Sequence, residues 1–241
     1  MANSVLALVS SIMGWYKLRD EYYVSPIVNG MRKKTAPRAR ILADDELRAV
    51  WKACDESGSF GALLQLCLLT AQRSRKVATM RFSDLQGNVW TIATEPREKT
   101  NAGVLILPEM AMEIIDRQRR NDDNPFVFPG QGQRPFGAFS MFKPKLDQKL
   151  PDVPHWTVHD LRRTARSLLS RKAAGISSDI AERLLGHAVG RGVEATYDRH
   201  DYTEEKAEAL KALASLVRAI VEPPPANVVP LPRQAKQRAS A

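Results

Sequence analysis

The chain of 241 residues lacks the long hydrophobic runs and the many cysteines that mark membrane and secreted proteins. Its longest strongly apolar run, residues 63–69, is broken by Gln65 and falls far short of the roughly 20 apolar residues of a membrane-spanning helix. Its two cysteines, Cys54 and Cys67, lie in apolar, helix-like segments, which favours buried reduced thiols over a disulfide framework. No basic segment precedes the apolar start of the chain, so we expect no signal peptide and a protein of the cytoplasm.

The sequence also lacks the motifs of several classes of enzyme. Its four histidines have neither HExxH spacing nor a CxxC partner, which argues against a zinc site. No glycine-rich loop is followed by Lys-Ser or Lys-Thr to hold nucleotide phosphates, and there is no GxSxG nucleophile elbow. We therefore expect chemistry that needs no metal and no other cofactor.

What the sequence does have is an ordinary globular composition with an excess of positive charge. Hydrophobic residues make up 44% and charged residues 26% of the chain, proportions that exclude a disordered or fibrous protein. Lysine and arginine number 36 against 27 acidic residues, which gives a formal net charge of +9. This excess is compatible with a polyanionic partner, although charge alone does not identify one.

Helical periodicity dominates the chain and is interrupted by one hairpin. Short apolar runs at residues 89–92 and 104–107 flank a polar segment, as two strands flank a hairpin tip. Thr157, with Asp160 three residues later, predicts the N-terminal cap of a helix. Helices are predicted at residues 4–24, 60–70, 109–120, 137–150 and 178–185, and from Asp44, Thr157 and Thr203 onward. We expect a mostly α fold with a small antiparallel β-sheet, in the α+β class.

Four short segments hold the residues that could carry chemistry. His159 and Arg162 stand three residues apart in the first turn of a predicted helix, where they share a face and where backbone N–H groups favour an anion. Arg73 follows a buried apolar helix and needs a carboxylate or a ligand anion as its partner. His187 ends the segment Leu-Leu-Gly-His, and Tyr197 comes ten residues later. Taken singly, each of these is more often a surface pair or a structural side chain.

Taken in order, these residues resemble the tyrosine recombinases, the phage-integrase family. The pattern comprises Thr-x-x-Arg73, Lys99 in the hairpin, His159-x-x-Arg162, Leu-Gly-His187 and Tyr197. The resemblance extends over roughly residues 40–221, and the closing segment is similar to the prophage and genomic-island branch. It implies the fold of the family's catalytic domain and six catalytic residues: Arg73, Lys99, His159, Arg162, His187 and Tyr197.

The chemistry that the resemblance implies is metal-free cutting and rejoining of DNA. Tyr197 would attack the scissile phosphate and form a 3′-phosphotyrosine, which keeps the energy of the broken bond, so that rejoining needs no ATP. Lys99, at the tip of the hairpin, would protonate the 5′ oxygen. The rivals for these two roles are Tyr202 as the nucleophile and Arg97 or Lys76 as the acid.

The other four residues would hold the phosphate in the implied site. Arg73 and Arg162 would clamp its non-bridging oxygens, where the fork geometry of the guanidinium matters. His159 would support proton transfer, and His187 would hydrogen-bond the phosphate.

This chain departs from the family pattern at two positions and at its N-terminal end. Ala71 stands where glycine is usual. Lys76 stands where a glutamate is common, so another group would have to orient Arg73. The resemblance divides the chain into the last helix of a truncated core-binding domain (1–26), a basic linker (27–41), the catalytic domain (42–222) and a disordered basic tail (223–241).

The resemblance also implies partners and a place in the cell. We expect double-stranded DNA with attachment sites, a homotetramer on that DNA, DNA-bending accessory proteins, no membrane, and a location at the nucleoid. Two alternatives stay open, a catalytically inactive DNA-binding remnant of an integrase and a type IB topoisomerase-like enzyme. The last helix, which begins at Thr203, either docks on a neighbouring protomer or packs its apolar stripe on its own core.

Overall fold

The computed structural model describes residues 2–28, 30–31, 36, 38–96, 98, 100–189 and 200–223, and the chain forms two compact units, 1–39 and 40–241. The first unit contains helix α1 (Ala2–Lys17). The sequence predicts a helix that continues to residue 24, but the Asp20 carboxylate accepts a hydrogen bond from the Tyr22 N–H (3.0 Å). Such a local turn competes with the helical hydrogen-bond pattern, so the helix ends early.

The second unit is mostly helical with one small sheet, which confirms the predicted fold class. Two short 3₁₀ helices, Phe82–Asp84 and Lys172–Ala174, connect longer elements. The helices and strands are α2 (Asp44–Asp55), α3 (Gly58–Thr70), α4 (Ser74–Ala78), β1 (Leu85–Gln86), β2 (Val89–Thr91), β3 (Val104–Ile106), α5 (Glu109–Asp116), α6 (Phe139–Asp147), α7 (Val158–Leu169), α8 (Ser178–Leu184) and α9 (Thr203–Val221).

The sheet is antiparallel with the strand order β1-β2-β3. Trp90 of β2 faces Leu85 on one side and Leu105 on the other, and Trp90 and Leu105 are both buried. The sequence predicts β2 and β3 but not β1, because two residues are too short to show an alternating pattern. The connection from β2 to β3 leads from the sheet toward α4 and α8, where the candidate site lies.

Helix α3 is the central element of the core. Its residues from Phe60 to Thr70 are all buried, and it packs against α2, α5 and α7. A helix that is apolar on all sides must be surrounded, so its end is fixed in position. Arg73 comes three residues after that end, and the backbone that carries it is therefore held in place.

Helix α7 begins at the predicted capping box. The Asp160 carboxylate accepts hydrogen bonds from the Thr157 N–H (2.8 Å) and the Thr157 hydroxyl (3.0 Å). Asp160 is fully buried and also pairs with Arg163 (2.6 Å). This cap fixes the first turn of α7, which carries His159 and Arg162.

The apolar stripe of the last helix packs on the core of its own chain. The stripe is buried against β3, α2, α3, α7 and α8 and consists of Leu210, Leu213, Val217 and Ile220. This packing favours the second of the two readings of α9. In the part of the chain that the structure describes, no helix has the length and apolar character needed to cross a membrane.

The two cysteines are buried and free. Burial raises the pKa of the Cys54 thiol to about 12 and also raises the pKa of Cys67. Both thiols are therefore inert at neutral pH, as the apolar sequence around them indicates.

Candidate active site

Arg162 lies at the centre of the candidate site and is almost fully buried. Its guanidinium donates to the carbonyl oxygens of Ala71 (2.7 Å) and Leu185 (2.6 Å) and approaches Nε2 of His187 (3.0 Å). Burial, with a further contribution from the positive charge of Arg73, lowers the pKa of Arg162 to about 10. The side chain stays charged at neutral pH, yet no described carboxylate bonds to it.

Arg73 stands at the N-cap of the short helix α4 and is exposed. Ala71 ends α3 two residues before Arg73 and has a left-handed backbone conformation (φ 54°, ψ 19°). A glycine would remove a strain of about 1–2 kcal/mol there. It would also remove a fully buried methyl group, worth about 0.8 kcal/mol. Burial of the methyl group offsets part of the strain, so alanine in place of the family's usual glycine costs no more than about 1 kcal/mol.

His159 lies in the first turn of α7 and is exposed. Partial desolvation, followed by the positive charges of Arg163, Arg162 and Arg73, lowers its pKa. The imidazole is therefore neutral at pH 7. Arg162 and Arg73 give the start of α7 a positive potential beside His159, and such a position favours binding of an anion.

His187 completes this group from the end of α8. Its Nε2 atom faces Arg162, and its Nδ1 atom lies 2.5 Å from the Glu182 carboxylate. The preceding Gly186 has φ +70°, a conformation that favours glycine. The structure thus brings together four of the six predicted site residues: Arg73, His159, Arg162 and His187.

The other two predicted site residues, Lys99 and Tyr197, lie outside the described residues. The chain on either side of Lys99 is anchored by contacts of Glu98 and Thr100. The Thr100 hydroxyl donates to the carbonyl oxygen of Gly186 (3.0 Å), next to His187. Glu98 pairs with Lys76 (2.7 Å).

The rivals for these two roles have other contacts. Lys76 is buried and also donates to the carbonyl oxygen of Ala93 (2.7 Å). Its contacts with Ala93 and Glu98 join α4 to the connection between β2 and β3. These contacts explain why a lysine is accommodated where the family often has glutamate. Arg97 lies outside the described residues. The ring of Tyr202 packs over the Arg183 guanidinium (4.0 Å) and beside His200 (4.6 Å).

We expect replacement of Lys76 by glutamine to destabilise the protein by about 3 kcal/mol, because the largely buried Glu98 carboxylate would lose its cation. The nearby Arg75 makes a matched control, since its pair with Glu95 (3.2 Å) is exposed. Arg75→Gln is expected to cost less than about 1 kcal/mol. Urea unfolding of both variants measures the difference, and equal losses would show that the Lys76–Glu98 pair is no more than a surface contact.

Sequence reasoning missed the residues that support the site. Gln72 is buried and donates to the carbonyl oxygen of Leu184 (2.7 Å), which joins the end of α3 to α8. Lys206 is buried and donates to the carbonyl oxygen of Ala102 (2.8 Å), which joins α9 to the base of the hairpin. Neither residue has a local signal, because Gln72 follows the apolar run of α3 and Lys206 stands among charged residues at the start of α9. Among the described residues, no cluster of histidine, cysteine, aspartate and glutamate could hold a metal ion.

Comparison with known proteins identifies relatives of this arrangement. A model of the phage integrase family matches residues 40–204. The chain is 24% identical over 193 residues to the prophage integrase IntA of Escherichia coli (strain K12), a match that covers 78% of this chain and 46% of the relative. The chain therefore spans about half the length of that curated relative.

Two solved structures of lambda integrase have a similar fold. One is a dimer bound to a core site, with a TM-score of 0.59, 16% identity, and coverage of 78% of this chain and 72% of the other. The second is a tetramer bound to a Holliday junction, with a TM-score of 0.58, 16% identity, and coverage of 80% and 61%. At this level of identity the likeness shows a shared fold.

Proposed function

The chain belongs to the phage integrase family, and on that premise we propose that it is a site-specific DNA recombinase that cuts and rejoins DNA through a 3′-phosphotyrosine. One observation carries the proposal, namely the convergence of Arg73, His159, Arg162 and His187 on one positively charged position. Guanidinium and imidazole groups are suited to hydrogen-bond the oxygens of a phosphodiester. In this proposal neither a metal ion nor ATP takes part.

The first chemical step transfers the phosphorus from DNA to protein. The Tyr197 oxygen bonds to phosphorus while the bond from phosphorus to the 5′ oxygen breaks. The phenol proton passes to a neutral base, a role open to His159 because its pKa is lowered. Lys99 gives a proton to the departing 5′ oxygen. Rejoining reverses these transfers with a 5′ hydroxyl as the attacking group.

Arg162 and Arg73 would stabilise the charge that develops on the non-bridging oxygens. Three hydrogen bonds to described partners fix the Arg162 guanidinium before any ligand arrives. Such preorganised donors stabilise a transition state without reorganisation cost, and loss of one donor typically slows catalysis about 10²–10³-fold. His187 would donate to the same phosphate.

The partners follow from the same proposal. The chain would bind double-stranded DNA at attachment sites and assemble as a homotetramer, as the lambda integrase structure on a Holliday junction does. The net charge of +9 supports binding that weakens with salt. DNA-bending accessory proteins and a location at the nucleoid, in the cytoplasm, belong to the same proposal.

Covalent capture tests the proposed function. The protein is incubated in EDTA with nicked duplexes from the ends of its own host element, and the products are separated under denaturing conditions. A DNA-linked protein band supports the recombinase. DNA binding that falls with salt, with no covalent band, would favour the inactive DNA-binding remnant. Sequence-independent relaxation of a supercoiled plasmid would favour the topoisomerase-like enzyme.

The lowered pKa of His159 gives a pH prediction for the DNA-free protein. We expect its NMR titration midpoint to lie below the ordinary value of about 6.5. Arg73→Gln removes one of the nearby positive charges and should raise the midpoint, and added duplex DNA should raise it further by bringing negative charge. A midpoint at or above 6.5 in the free wild-type protein would contradict the positive cluster.

A further inference from the structure

We propose that Glu182 is a positioning residue that holds His187 with its Nδ1–H toward the Glu182 carboxylate and its Nε2 atom toward the phosphate position. Glu182 lies on α8, five residues before His187. The inference rests on the proposed function, because it assigns a role in the same site. Neither the sequence pattern nor the family resemblance singled out this glutamate.

Glu182 fixes His187 through both its main chain and its side chain. The His187 N–H donates to the carbonyl oxygen of Glu182 (3.0 Å), and the His187 ring nitrogen Nδ1 lies 2.5 Å from Glu182 Oε2. The other carboxylate oxygen accepts from Nε of Arg166 (2.7 Å). Arg166 in turn donates to the Ser178 hydroxyl (2.9 Å) at the start of α8. The two carboxylate oxygens therefore have separate partners, His187 for one and Arg166 for the other.

The partners of His187 determine where its proton lies. Arginine has only donors, so Nε2 of His187 accepts from Arg162 at 3.0 Å. Burial tends to raise the pKa of Glu182, but the hydrogen bonds from His187 and Arg166 outweigh it and lower the pKa. Glu182 is therefore an ionised acceptor, and Nδ1 of His187 carries the proton that it receives. A carboxylate behind a histidine fixes tautomer and ring orientation in this way.

This arrangement prepares His187 for a bound phosphate. When a phosphate oxygen takes the position beside Arg162, His187 can donate to it only through a second proton on Nε2. The resulting imidazolium would lie between two negative groups, the phosphate and Glu182. The groups that face this imidazole in the described structure are Arg162 from α7 and Glu182 from α8, with Arg166 behind the carboxylate.

The competing explanation is that Glu182 only joins α8 to α7 through Arg166. Arg166→Gln tests this explanation, because it breaks the contact between the helices and leaves the Glu182–His187 pair in place. Glu182→Gln keeps the size of the side chain and removes its charge. The two variants therefore separate the role of the pair from the role of the helix contact.

Single-turnover cleavage of a nicked duplex is the activity readout, with DNA affinity measured separately. We expect Glu182→Gln to slow cleavage about 10–100-fold with DNA affinity changed less than about twofold, and Arg166→Gln to slow it less than about threefold. In a His187→Gln background, Glu182→Gln should have no further effect. Equal slowing by Arg166→Gln, or additional slowing in the His187→Gln background, would overturn the proposal.

An NMR measurement on the DNA-free protein tests the role of Glu182 without depending on DNA cleavage. The ¹⁵N shifts of His187 in the DNA-free protein should report a proton on Nδ1 in the wild type and lose that preference in Glu182→Ala. The same tautomer in both proteins would also overturn the inference. If the wild type forms no covalent product on any duplex, the proposed function fails, and the tautomer measurement still decides whether Glu182 orients His187.

Discussion

Replacement of Arg162 by alanine is expected to abolish covalent capture of DNA and to destabilise the protein. The side chain joins three parts of the fold, because it bonds to the carbonyl oxygens of Ala71 and Leu185 and to His187. Each buried carbonyl left without a donor costs about 1–3 kcal/mol. Loss of the guanidinium from the phosphate position should slow cleavage at least about 10²–10³-fold. We expect both losses because Arg162 has a structural role in the fold and a proposed role in cleavage.

Arg162→Lys separates the two effects. A lysine keeps the positive charge, but its single ammonium cannot replace a planar fork that reaches two carbonyls and, in the proposed function, a phosphate as well. We expect a stability loss smaller than that of the alanine variant with a comparable loss of cleavage. Arg171→Ala is the control, since Arg171 forms an exposed pair with Asp44 (2.6 Å). Thermal unfolding and single-turnover cleavage test all three variants, and full activity of Arg162→Lys would contradict the fork-specific role.

Replacement of Gly186 by alanine is expected to destabilise the protein strongly and to disturb the candidate site. A Cβ atom at this position would lie 2.6 Å from the backbone nitrogen of Ala102 and 2.7 Å from the carbonyl carbon of Asn101. Both are main-chain atoms, so the hairpin or the end of α8 must move. The left-handed conformation adds about 1–2 kcal/mol and the overpacking about 1–3 kcal/mol. His187 follows directly, and Thr100 bonds to Gly186, so the site should be disturbed as well.

Gly175 provides a control that isolates the clash. Its backbone is also left-handed, with φ +67°, but a Cβ there would meet no atom within 4 Å. Gly175→Ala should therefore cost only the conformational strain of about 1–2 kcal/mol and leave cleavage unchanged. Urea unfolding measures both losses. Equal losses for Gly175→Ala and Gly186→Ala would contradict the close approach of α8 to the hairpin.

The parts of the fold that the sequence predicts are those with local signals. The capping box of Thr157 and Asp160 marks the start of α7 because both of its partners lie within one helical turn. The β2–β3 hairpin shows two apolar runs around a polar tip. The predicted end of α1 is too late, since apolar residues continue beyond Lys17 although a turn at Asp20 replaces the helical hydrogen bonds there.

The parts of the site that the sequence misses depend on contacts between distant segments. Lys76 and Glu98 are 22 positions apart, and Gln72 reaches the carbonyl of Leu184 across 112 positions. No local pattern indicates such pairs. Glu182 is different, because its partner His187 is only five positions away. The contact forms where α8 has ended and the chain turns at Gly186, which helical spacing does not predict.

The most direct test of the central claim compares the wild type with Tyr197→Phe and Tyr202→Phe. Each protein is incubated with a nicked attachment-site duplex in EDTA, and the DNA-linked peptide is identified by mass spectrometry. The account predicts a covalent product in the wild type and in Tyr202→Phe, attached at Tyr197, and none in Tyr197→Phe. A product that persists in Tyr197→Phe, or one attached at Tyr202, would contradict the proposed nucleophile and with it the proposed arrangement of the active site.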